Sequence, residues 1–333
     1  MKISIAMATY NGAEYLQEQL DSFVTQTQQP DELVVTDDCS TDATLAMLES
    51  FASTAPFEVV VHRNERNYGY CGNFNQALMR CSGDLVFLCD QDDVWFPEKI
   101  ERVAVAADEY PESLVILNDA ALTHGDLSET GLTKMGQIKS AGLDEPSFVM
   151  GCCAAVKRDL LDLCLPIPVG FPAHDTWIVG IADGMNRKHV LADVLQYYRR
   201  HGSNESQFIA NRTIRVGWWD KERQIWRERL AELLGKAEKS GTSEPDGESP
   251  QAVMHEWAQS TLPTVPTAYE QDFRVLIERT GKQVSALKRR GTIRSRPFPT
   301  RLRGVVSAQR DGTYVAFSGW KSALRDLVGE RRA

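Results

Sequence analysis

Apolar and polar positions along the first 110 residues predict four strands separated by helices. Runs typical of buried strands occur at 2–8, 31–37, 57–63 and 84–88. Apolar residues recur at helical spacing in the segments 13–26, 43–52, 71–81 and 98–110. This βαβ rhythm predicts an α/β fold with a mainly parallel sheet flanked by helices. In such folds ligands bind at the carboxyl ends of the strands.

Beyond residue 110 the pattern is looser and becomes helical toward the C-terminus. Strands are indicated at 113–119, 147–158 and 193–202, and a helix at 174–185. A helical pattern runs from 204 to about 239, and a linker rich in Gly, Ser, Pro and acidic residues follows at 239–250. We therefore expect an α/β domain at 1–206, divided near residue 110, and a mostly helical region at 207–333 with a mobile linker.

Composition and cysteine usage are those of an ordinary globular protein. Hydrophobic residues make up 42% and charged residues 25% of the 333 positions. No apolar stretch approaches the roughly 20 residues of a membrane span, and the N-terminal segment lacks the features of a signal peptide. Seven cysteines without CxxC spacing favour free thiols in a reducing cytosol.

The charge is distributed unevenly along the chain. Residues 282–333 contain 13 Lys or Arg and three acidic residues, a net charge of +10. Because the whole chain has a net charge of −9, the other residues together carry −19. This basic tail, residues 282–333, predicts a contact with something anionic. Charge alone leaves both nucleic acid and an anionic membrane surface open.

Three polar clusters follow the ends of predicted strands: "TYNG" at 9–12, "DDCSTD" at 37–42 and "DQDD" at 90–93. Carboxyl ends of parallel strands meet at one edge of a sheet, so we expect the clusters to converge. The alternate carboxylates Asp90 and Asp92 suit Mg²⁺ or Mn²⁺ bridging a diphosphate. An acidic turn exposed to solvent is the commoner role of such residues.

The order and spacing of these motifs resemble the GT-A-fold family 2 glycosyltransferases. The stretches "ISIAMATYNG", "DELVVTDDCSTDAT" and "FLCDQDDVWFPEKI" carry the resemblance. The motifs "HDTW" at 174–177 and "YYRRHGSN" at 197–204 extend it to about residue 206. The DQDDVW form is similar to a bacterial branch described as rhamnosyltransferase-like. In the C-terminal 125 residues only "GWKSALRDL" shows a loose resemblance.

The resemblance implies a nucleotide site built from the loops after the strands. Thr9 and Tyr10 match a loop that packs on base and ribose, and Asp38 matches a carboxylate that binds the base. A carboxylate there suits uracil or thymine, and also guanine, so a UDP or dTDP donor is expected. The residues implied at the nucleotide are Thr9, Tyr10, Asn11, Asp38, Asn67, Gly69, Asn73, Asp90 and Gln91. Asn and Gly are also what any turn would use.

The resemblance also implies a metal site and a catalytic base. Asp92 matches the direct ligand of Mg²⁺ or Mn²⁺, Asp90 supports the metal or the ribose, and Asp93 lies behind them. His201 would complete the metal shell or touch the diphosphate, although a lone His is more often structural. Asp175 matches the base that takes the proton of an acceptor hydroxyl, although a helix N-terminus alone also favours Asp.

Taken together, the resemblance implies an inverting, metal-dependent sugar transfer in the synthesis of cell-surface polysaccharide. Rhamnose is the expected sugar from branch resemblance alone, and the acceptor is a saccharide or a saccharide linked to a lipid diphosphate. With such an acceptor, the basic tail at 282–333 is expected to meet an anionic membrane surface and not nucleic acid. The expected location is the cytoplasm, on the inner face of the cell membrane.

Three other functions are weighed against this interpretation. "VFLCDQDDV" also fits a haloacid-dehalogenase-like phosphatase with Asp90 as nucleophile, but that motif usually opens its fold, whereas three strands precede it here. A Rossmann oxidoreductase lacks its GxGxxG motif after a strand. A catalytically inactive protein that binds nucleotide sugars stays open, although the presence of both Asp92 and Asp175 favours an enzyme.

Overall fold

The computed structural model describes residues 1–140, 148–201 and 249–328, except 315, 316, 318 and 319. The chain divides into two compact units, Met1–Trp218 and Trp219–Ala333. In the described ranges no helix combines the length and apolar character needed to cross a bilayer. The helix predicted at 204–239 and nearly all of the linker predicted at 239–250 lie outside the described residues.

The first unit begins with the predicted alternation of strands and helices. The strands are β1 (Ile3–Thr9), β2 (Glu32–Asp37), β3 (Glu58–Arg63) and β4 (Leu85–Cys89). The helices are α1 (Leu16–Val24), α2 (Thr44–Ala52) and α3 (Gly69–Leu78), and α4 (Lys99–Glu109) follows a two-residue strand, β5 (Val94–Trp95). The type of each predicted element is confirmed, and the bounds differ only at the ends.

The rest of this unit completes the sheet. Its elements are β6 (Val115–His124), β7 (Glu129–Thr133), α5 (Lys134–Ser140), β8 (Ala154–Lys157), α6 (Arg158–Cys164), α7 (His174–Gly184) and β9 (Lys188–Arg200). The strand predicted at 147–158 is wrong over most of its length. Only its last residues pair as β8, because Gly151–Cys153 form a 3₁₀ turn whose apolar residues are buried without strand pairing.

Within the described residues, the strands form one mixed sheet in the order β3-β2-β1-β4-β8-β6-β9-β5, and β7 pairs with β6. The first four strands of this order are parallel, which confirms the predicted α/β class. β8 runs antiparallel to both β4 and β6, and β5 runs antiparallel to β9. β5 directly follows the acidic turn at 90–93, so its pairing brings this turn to the end of β9.

Both faces of the central strands are covered. All seven residues of β1 except Ala8 are buried, and so is every residue of β4, as expected for strands with helices on both sides. Leu20 and Phe23 of α1 belong to the same core as Phe87 and Trp95. The apolar runs that predicted these strands therefore fix them in place, and the polar residues that follow emerge at one edge.

The second unit is helical throughout its described residues. Its helices are α8 (Pro250–Thr261), α9 (Glu270–Arg294), α10 (Phe298–Arg310) and α11 (Trp320–Val328), with a 3₁₀ turn at Thr267–Tyr269. Arg290 of α9 donates to both carboxylate oxygens of the fully buried Asp326 of α11, at 2.8 and 3.0 Å. This ion pair joins α9 to α11 within the basic tail.

Candidate active site

The carboxyl ends of β1, β2 and β4 meet at one edge of the sheet, as predicted. Thr9 at the end of β1 lies opposite Asp37 of β2. Its hydroxyl donates to the Asp37 carboxylate at 3.1 Å, and its carbonyl accepts from the Asp38 N–H at 2.9 Å. The "TYNG" and "DDCSTD" clusters are thus joined directly, and both Thr9 and Asp38 are buried.

The Gln91 side chain bonds to the backbone of the loop after β1. The Tyr10 N–H donates to Gln91 Oε1 at 2.8 Å, and Gln91 Nε2 donates to the Tyr10 carbonyl at 3.0 Å. Gly12 lies directly beneath this amide, because a Cβ built there would stand 2.2 Å from Gln91 Oε1. Tyr10 itself is 50% exposed. The acidic turn and the first loop are therefore one assembly, with an aromatic residue at its surface.

Asn11 has a left-handed backbone, with φ of 47°, a conformation that Asn tolerates better than most residues. Its side-chain oxygen accepts from the Thr41 N–H at 2.8 Å, and its own N–H donates to the Ser40 hydroxyl at 2.8 Å. The predicted nucleotide residue Asn11 thus joins the first loop to the second.

Asp38 binds the loop that follows β3. Its carboxylate accepts from the Tyr68 N–H at 2.8 Å and from the Asn64 amide at 2.9 Å. Asn67 donates to the Asp38 carbonyl at 3.3 Å. The predicted base-binding residue therefore also organises a loop that contains another predicted nucleotide residue. A base contact at Asp38 would use the lone pairs that these donors leave.

Asn73 and Gly69 place the start of α3 against this edge. The buried Asn73 side chain donates to the Thr9 carbonyl at 3.1 Å and accepts from Asn64 at 2.9 Å. Gly69 has φ of +72°, a region that favours glycine, and its N–H donates to the Asn67 side chain at 2.9 Å. Both residues therefore shape the loops, and their contact with a nucleotide stays a prediction.

The acidic turn holds three carboxylates whose charges oppose one another. Burial raises the pKa of Asp90 well above its usual range, and the charges of Asp92, Asp93 and Asp175 raise it further. Burial, followed by the charge of Asp92, raises the pKa of Asp93 to about 7. Like charges brought this close favour a cation among them.

Two side chains from the end of β9 reach this turn. His201 Nε2 and Asp92 Oδ2 lie 2.7 Å apart, and the imidazole stacks on the Tyr15 ring with centroids 4.5 Å apart. Arg199 is buried, and its Nε donates to the Asp92 carbonyl at 2.8 Å. The "YYRRHG" motif contained Arg199, but only the antiparallel pairing of β5 with β9 reveals its contact.

Asp175 lies in the first turn of α7 and is partly exposed. Its Oδ1 accepts from the neighbouring Thr176 N–H at 2.6 Å. Burial raises the pKa of Cys71 and the charge of Asp175 raises it further; at Asp90 the charge of Asp175 adds to burial and to the charges of Asp92 and Asp93. The structure therefore brings the predicted base into the electrostatic field of the acidic turn.

His174 precedes Asp175 and is buried with unusual surroundings. Neither ring nitrogen has a hydrogen-bond partner in the described part of the chain. The ring stacks on Phe74 with centroids 3.8 Å apart and meets the Tyr70 ring edge-on at 5.7 Å. Burial lowers the pKa of His174 to about 4, and the charge of Asp175 opposes this shift. The imidazole is therefore neutral near pH 7.

Two groups of side chains at the acidic turn offer ligand atoms for a divalent cation. Among the described residues, Asp90, Asp93 and Cys152 offer ligand atoms within 4.8 Å of one another. This group differs from the implied set of Asp90, Asp92 and His201. Asp93 already accepts from Gln196 and from a backbone N–H, and a thiol is a poor ligand for Mg²⁺ or Mn²⁺. The Asp92 carboxylate supplies the oxygen ligand that such an ion prefers, and the His201 imidazole lies 2.7 Å from it.

Slightly less than half of the chain is similar to a known family of glycosyltransferases. Residues 4–164 match the family described as "Glycosyl transferase family 2". An uncharacterized glycosyltransferase of Nostoc sp. is 29% identical over 228 residues, which cover 64% of this chain and 69% of that protein. An uncharacterized Mycobacterium tuberculosis protein is 32% identical over 126 residues, 37% of this chain and 36% of its own length.

Staphylococcus aureus TarS, a poly(ribitol-phosphate) β-N-acetylglucosaminyltransferase, is also similar. It is 33% identical over 120 residues, which cover 35% of this chain and 21% of TarS. The crystal structure of TarS 1–349 in complex with UDP-GlcNAc superposes with a TM-score of 0.53 at 18% identity, covering 98% of this chain and 90% of that one. The fold is therefore GT-A-like, with a helical C-terminal region.

Proposed function

We propose that this chain transfers a sugar from a nucleoside-diphosphate donor to an acceptor hydroxyl. The match of residues 4–164 to glycosyltransferase family 2 supports this proposal. The observation that carries the proposal is the joining of three polar loops at one sheet edge, where Gln91 bonds to the Tyr10 backbone and the Asp38 N–H donates to the Thr9 carbonyl. A base and a site for a diphosphate at one sheet edge are what such a transfer requires. The similarity to TarS, a transferase solved with UDP-GlcNAc, supports a nucleotide-sugar donor.

Asp175 acts as the general base in this proposal. Its carboxylate takes the proton of the acceptor hydroxyl while the hydroxyl oxygen forms a bond to the anomeric carbon of the donor. The bond between that carbon and the diphosphate oxygen breaks, and its electron pair leaves with the diphosphate. Attack on the face opposite the leaving group inverts the anomeric configuration, and the transition state is oxocarbenium-like.

Asp92, Asp90 and His201 would hold Mg²⁺ or Mn²⁺ in the same proposal. When bound, that ion supplies positive charge that stabilises the departing diphosphate. The fit rests on the side chains themselves: a carboxylate and an imidazole lie 2.7 Å apart, and a second carboxylate, Asp90, belongs to the same turn. Arg199 and the Tyr15 ring keep Asp92 and His201 in place, through the bond to the Asp92 carbonyl and the stack on the imidazole.

The loops after β1 and β2 would receive the nucleotide. The half-exposed Tyr10 offers a ring surface for the base or ribose, and Asp38 offers a carboxylate at the buried end of the same edge. This pairing favours UDP or dTDP. Rhamnose as the sugar rests only on the branch resemblance, so the donor identity is the first quantity to measure.

The decisive experiment is a donor screen on the purified chain. UDP, dTDP and GDP sugars are tested with Mn²⁺ or Mg²⁺ by thermal shift, and then by release of nucleotide with saccharide acceptors. We expect stabilisation by one nucleotide class and release that stops in chelator. Stabilisation without any release would favour an inactive binding protein, and neither signal would overturn the proposal.

We also infer that the second unit contacts an anionic membrane surface, which is where a lipid-linked acceptor would be found. Within the basic tail, several arginines are engaged internally, because Arg289 pairs with Asp311 and Arg290 with Asp326. Helix α10 instead presents Phe298, Leu302 and Val306, which are spaced four residues apart and exposed. A stripe of this kind flanked by arginines suits the interface of a bilayer.

A further inference from the structure

A buried polar chain lies behind the acidic turn, and apart from Arg199 its members take no part in the proposed function. Its members are Lys99, Gln196, Asp93 and Arg199, and each is at most 2% exposed. Lys99 begins α4, Asp93 ends the acidic turn, and the other two residues belong to β9. Burial of charged and polar groups costs free energy of folding unless each group is paired. The hydrogen bonds among these four residues therefore fix how each side chain is oriented.

Lys99 fixes the orientation of Gln196. Its ammonium donates to the Cys152 carbonyl at 3.0 Å and also to Gln196 Oε1, and it lies 4.0 Å from the centroid of the Trp95 ring. An ammonium only donates hydrogen bonds, so the oxygen of the Gln196 amide must face it. The NH₂ end of that amide must therefore face the opposite way.

The NH₂ end of Gln196 faces Asp93. Gln196 Nε2 donates to Asp93 Oδ2 at 2.9 Å, and the Arg199 N–H donates to Asp93 Oδ1 at 3.2 Å. Both oxygens of Asp93 are thus bound by β9. If the Gln196 amide turned over, two oxygens would meet at this contact and the bond would become a repulsion.

These bonds tie the acidic turn to the end of β9. Asp92 precedes Asp93 in the turn, and His201 follows Arg199 by two residues, so Asp93 connects the backbones that carry both partners of the Asp92–His201 pair. Arg199 adds a second connection through the Asp92 carbonyl. The spacing of Asp92 and His201 therefore depends on the Gln196 amide, and through it on Lys99.

We propose that Lys99 and Gln196 are positioning residues that set the spacing of Asp92 and His201 and thereby the affinity of the site for a divalent cation. The proposal rests on the metal assignment of the proposed function. Lys99 acts on this spacing through the orientation of Gln196, and neither residue belongs to the proposed ligand set of Asp92, Asp90 and His201. If Lys99 acts through Gln196, the effects of substituting the two residues on the affinity for the cation are not additive.

The test measures Mn²⁺ binding in the presence of UDP by the fall of the free-Mn²⁺ signal in electron paramagnetic resonance. We expect Gln196→Leu and Lys99→Met each to weaken Mn²⁺ binding by roughly 10-fold to 100-fold, the usual effect of removing a residue that orients a ligand. The double variant should bind Mn²⁺ with the same affinity as whichever single variant binds it less tightly, because the two residues act in series.

Gln26→Leu is the matched control. Gln26 is a buried glutamine of the same unit that bonds to Ser22, Phe96 and Ile100, and it belongs to neither the acidic turn nor β9. It should lower the melting temperature and leave Mn²⁺ affinity unchanged. If Gln196→Leu does not fold, Gln196→Asn, which keeps the amide and shortens its reach, takes its place with the same expectation.

The outcomes separate this inference from the function on which it rests. Unchanged affinity in folded Gln196 variants, with binding intact in the wild type and lost in Asp92→Asn, would overturn the inference alone. The inference would also be overturned if the fold-loss of Mn²⁺ affinity in the double variant equalled the product of the fold-losses in the two single variants. Absence of Mn²⁺ binding in the wild type would overturn the metal assignment and this inference with it.

Discussion

Asp92 and His201 are 109 residues apart in the chain, yet Asp92 Oδ2 and His201 Nε2 lie 2.7 Å from each other. The contact arises because β5 pairs with β9 directly after the acidic turn, with Val94 opposite Tyr197. A cation that binds both atoms would replace this hydrogen bond. The pair therefore holds two ligands close together in advance, which lowers the ordering cost of binding.

The first prediction concerns Asp92→Asn. We expect metal-dependent transfer to fall by roughly 10²-fold or more, since the metal's charge stabilises the leaving diphosphate. The fold should persist with an equal or higher melting temperature, because one of several repelling charges is removed. Thermal shift with UDP and Mn²⁺, together with nucleotide release, measures both effects. Glu58→Gln, on the exposed end of β3, is the control; full turnover in Asp92→Asn would refute the ligand assignment.

The second prediction concerns Asp175→Asn. The variant should bind the donor as the wild type does, and kcat should fall by roughly 10²–10⁴-fold because the acceptor proton has no base. Donor affinity by calorimetry and kcat by nucleotide release separate the two effects. Asp162→Asn, whose side chain is 67% exposed, should leave both unchanged. A weakened donor affinity with near-normal kcat would make Asp175 a binding residue.

The elements that could be predicted are those whose signal is local. β4 is a continuous apolar run and β1 is apolar except for Ser4 and Thr9, and the polar clusters after them converge because parallel strands share one edge. The 3₁₀ turn at Gly151–Cys153 was missed, because burial alone does not distinguish a strand from a packed turn. The sequence predicted that Asp92 and His201 share a site, but not what holds them there.

The residues that sequence reasoning did not assign are the ones fixed by distant pairing. Gln196 and Lys99 carry no motif of their own, and their roles follow from the antiparallel pairing of β5 with β9. The two-residue length of β5 leaves no hydrophobic period to detect. Tyr15 is similar, since only the folded chain stacks its ring on His201.

The third prediction concerns Gly12→Ala and the loop after β1. The added Cβ would stand 2.2 Å from Gln91 Oε1, so the amide must move away from the Tyr10 backbone. We expect a loss of about 1–3 kcal/mol in unfolding free energy, the net value of the two hydrogen bonds between Gln91 and the Tyr10 backbone, and a weaker affinity for the donor. Urea unfolding and calorimetry measure these quantities.

The double variant Gly12→Ala/Gln91→Ala separates steric displacement from a direct role of the glycine. Removing the amide removes the clash, so the double variant should be no less stable than Gln91→Ala alone. If Gly12→Ala destabilises the Gln91→Ala protein as much as it does the wild type, the clash with Gln91 is not the cause.

The fourth prediction is a pH dependence of stability that arises from His174. Its pKa is about 4 in the folded protein because the ring is buried, and about 6.5 when unfolded. Between these values the unfolded chain binds a proton that the folded chain does not. Stability is therefore highest above pH 6.5 and falls as the pH drops toward 4, by roughly 3 kcal/mol in total. Asp175 and Tyr70 are the titratable groups near the ring.

Urea unfolding of the wild type and His174→Asn at about pH 7 and about pH 5 isolates this contribution. The variant keeps every other titrating group, so its stability should fall less than that of the wild type over this range. Equal losses in the two proteins would show that His174 does not titrate as its burial requires.

The last prediction concerns the exposed stripe on α10. Phe298→Ser and Leu302→Ser remove apolar area that would enter the interface, and each buried CH₂ is worth about 0.8 kcal/mol. Full-length protein should sediment with vesicles that contain anionic lipid at low salt, and the double variant should bind roughly tenfold or more weakly. Raising the salt should weaken binding of the wild type as well, because arginines near an anionic surface act through screened charge.

Arg303 is the charge control for this surface. It lies on α10 beside Leu302 and is exposed, so Arg303→Gln should reduce binding to anionic vesicles and leave the weak binding to neutral vesicles unchanged. Arg274→Gln on α9 is exposed too, but it pairs with Glu270 on its own helix, so it should change neither. If wild-type protein ignores anionic vesicles at low salt, or if the stripe variants bind as it does, α10 does not contact the membrane.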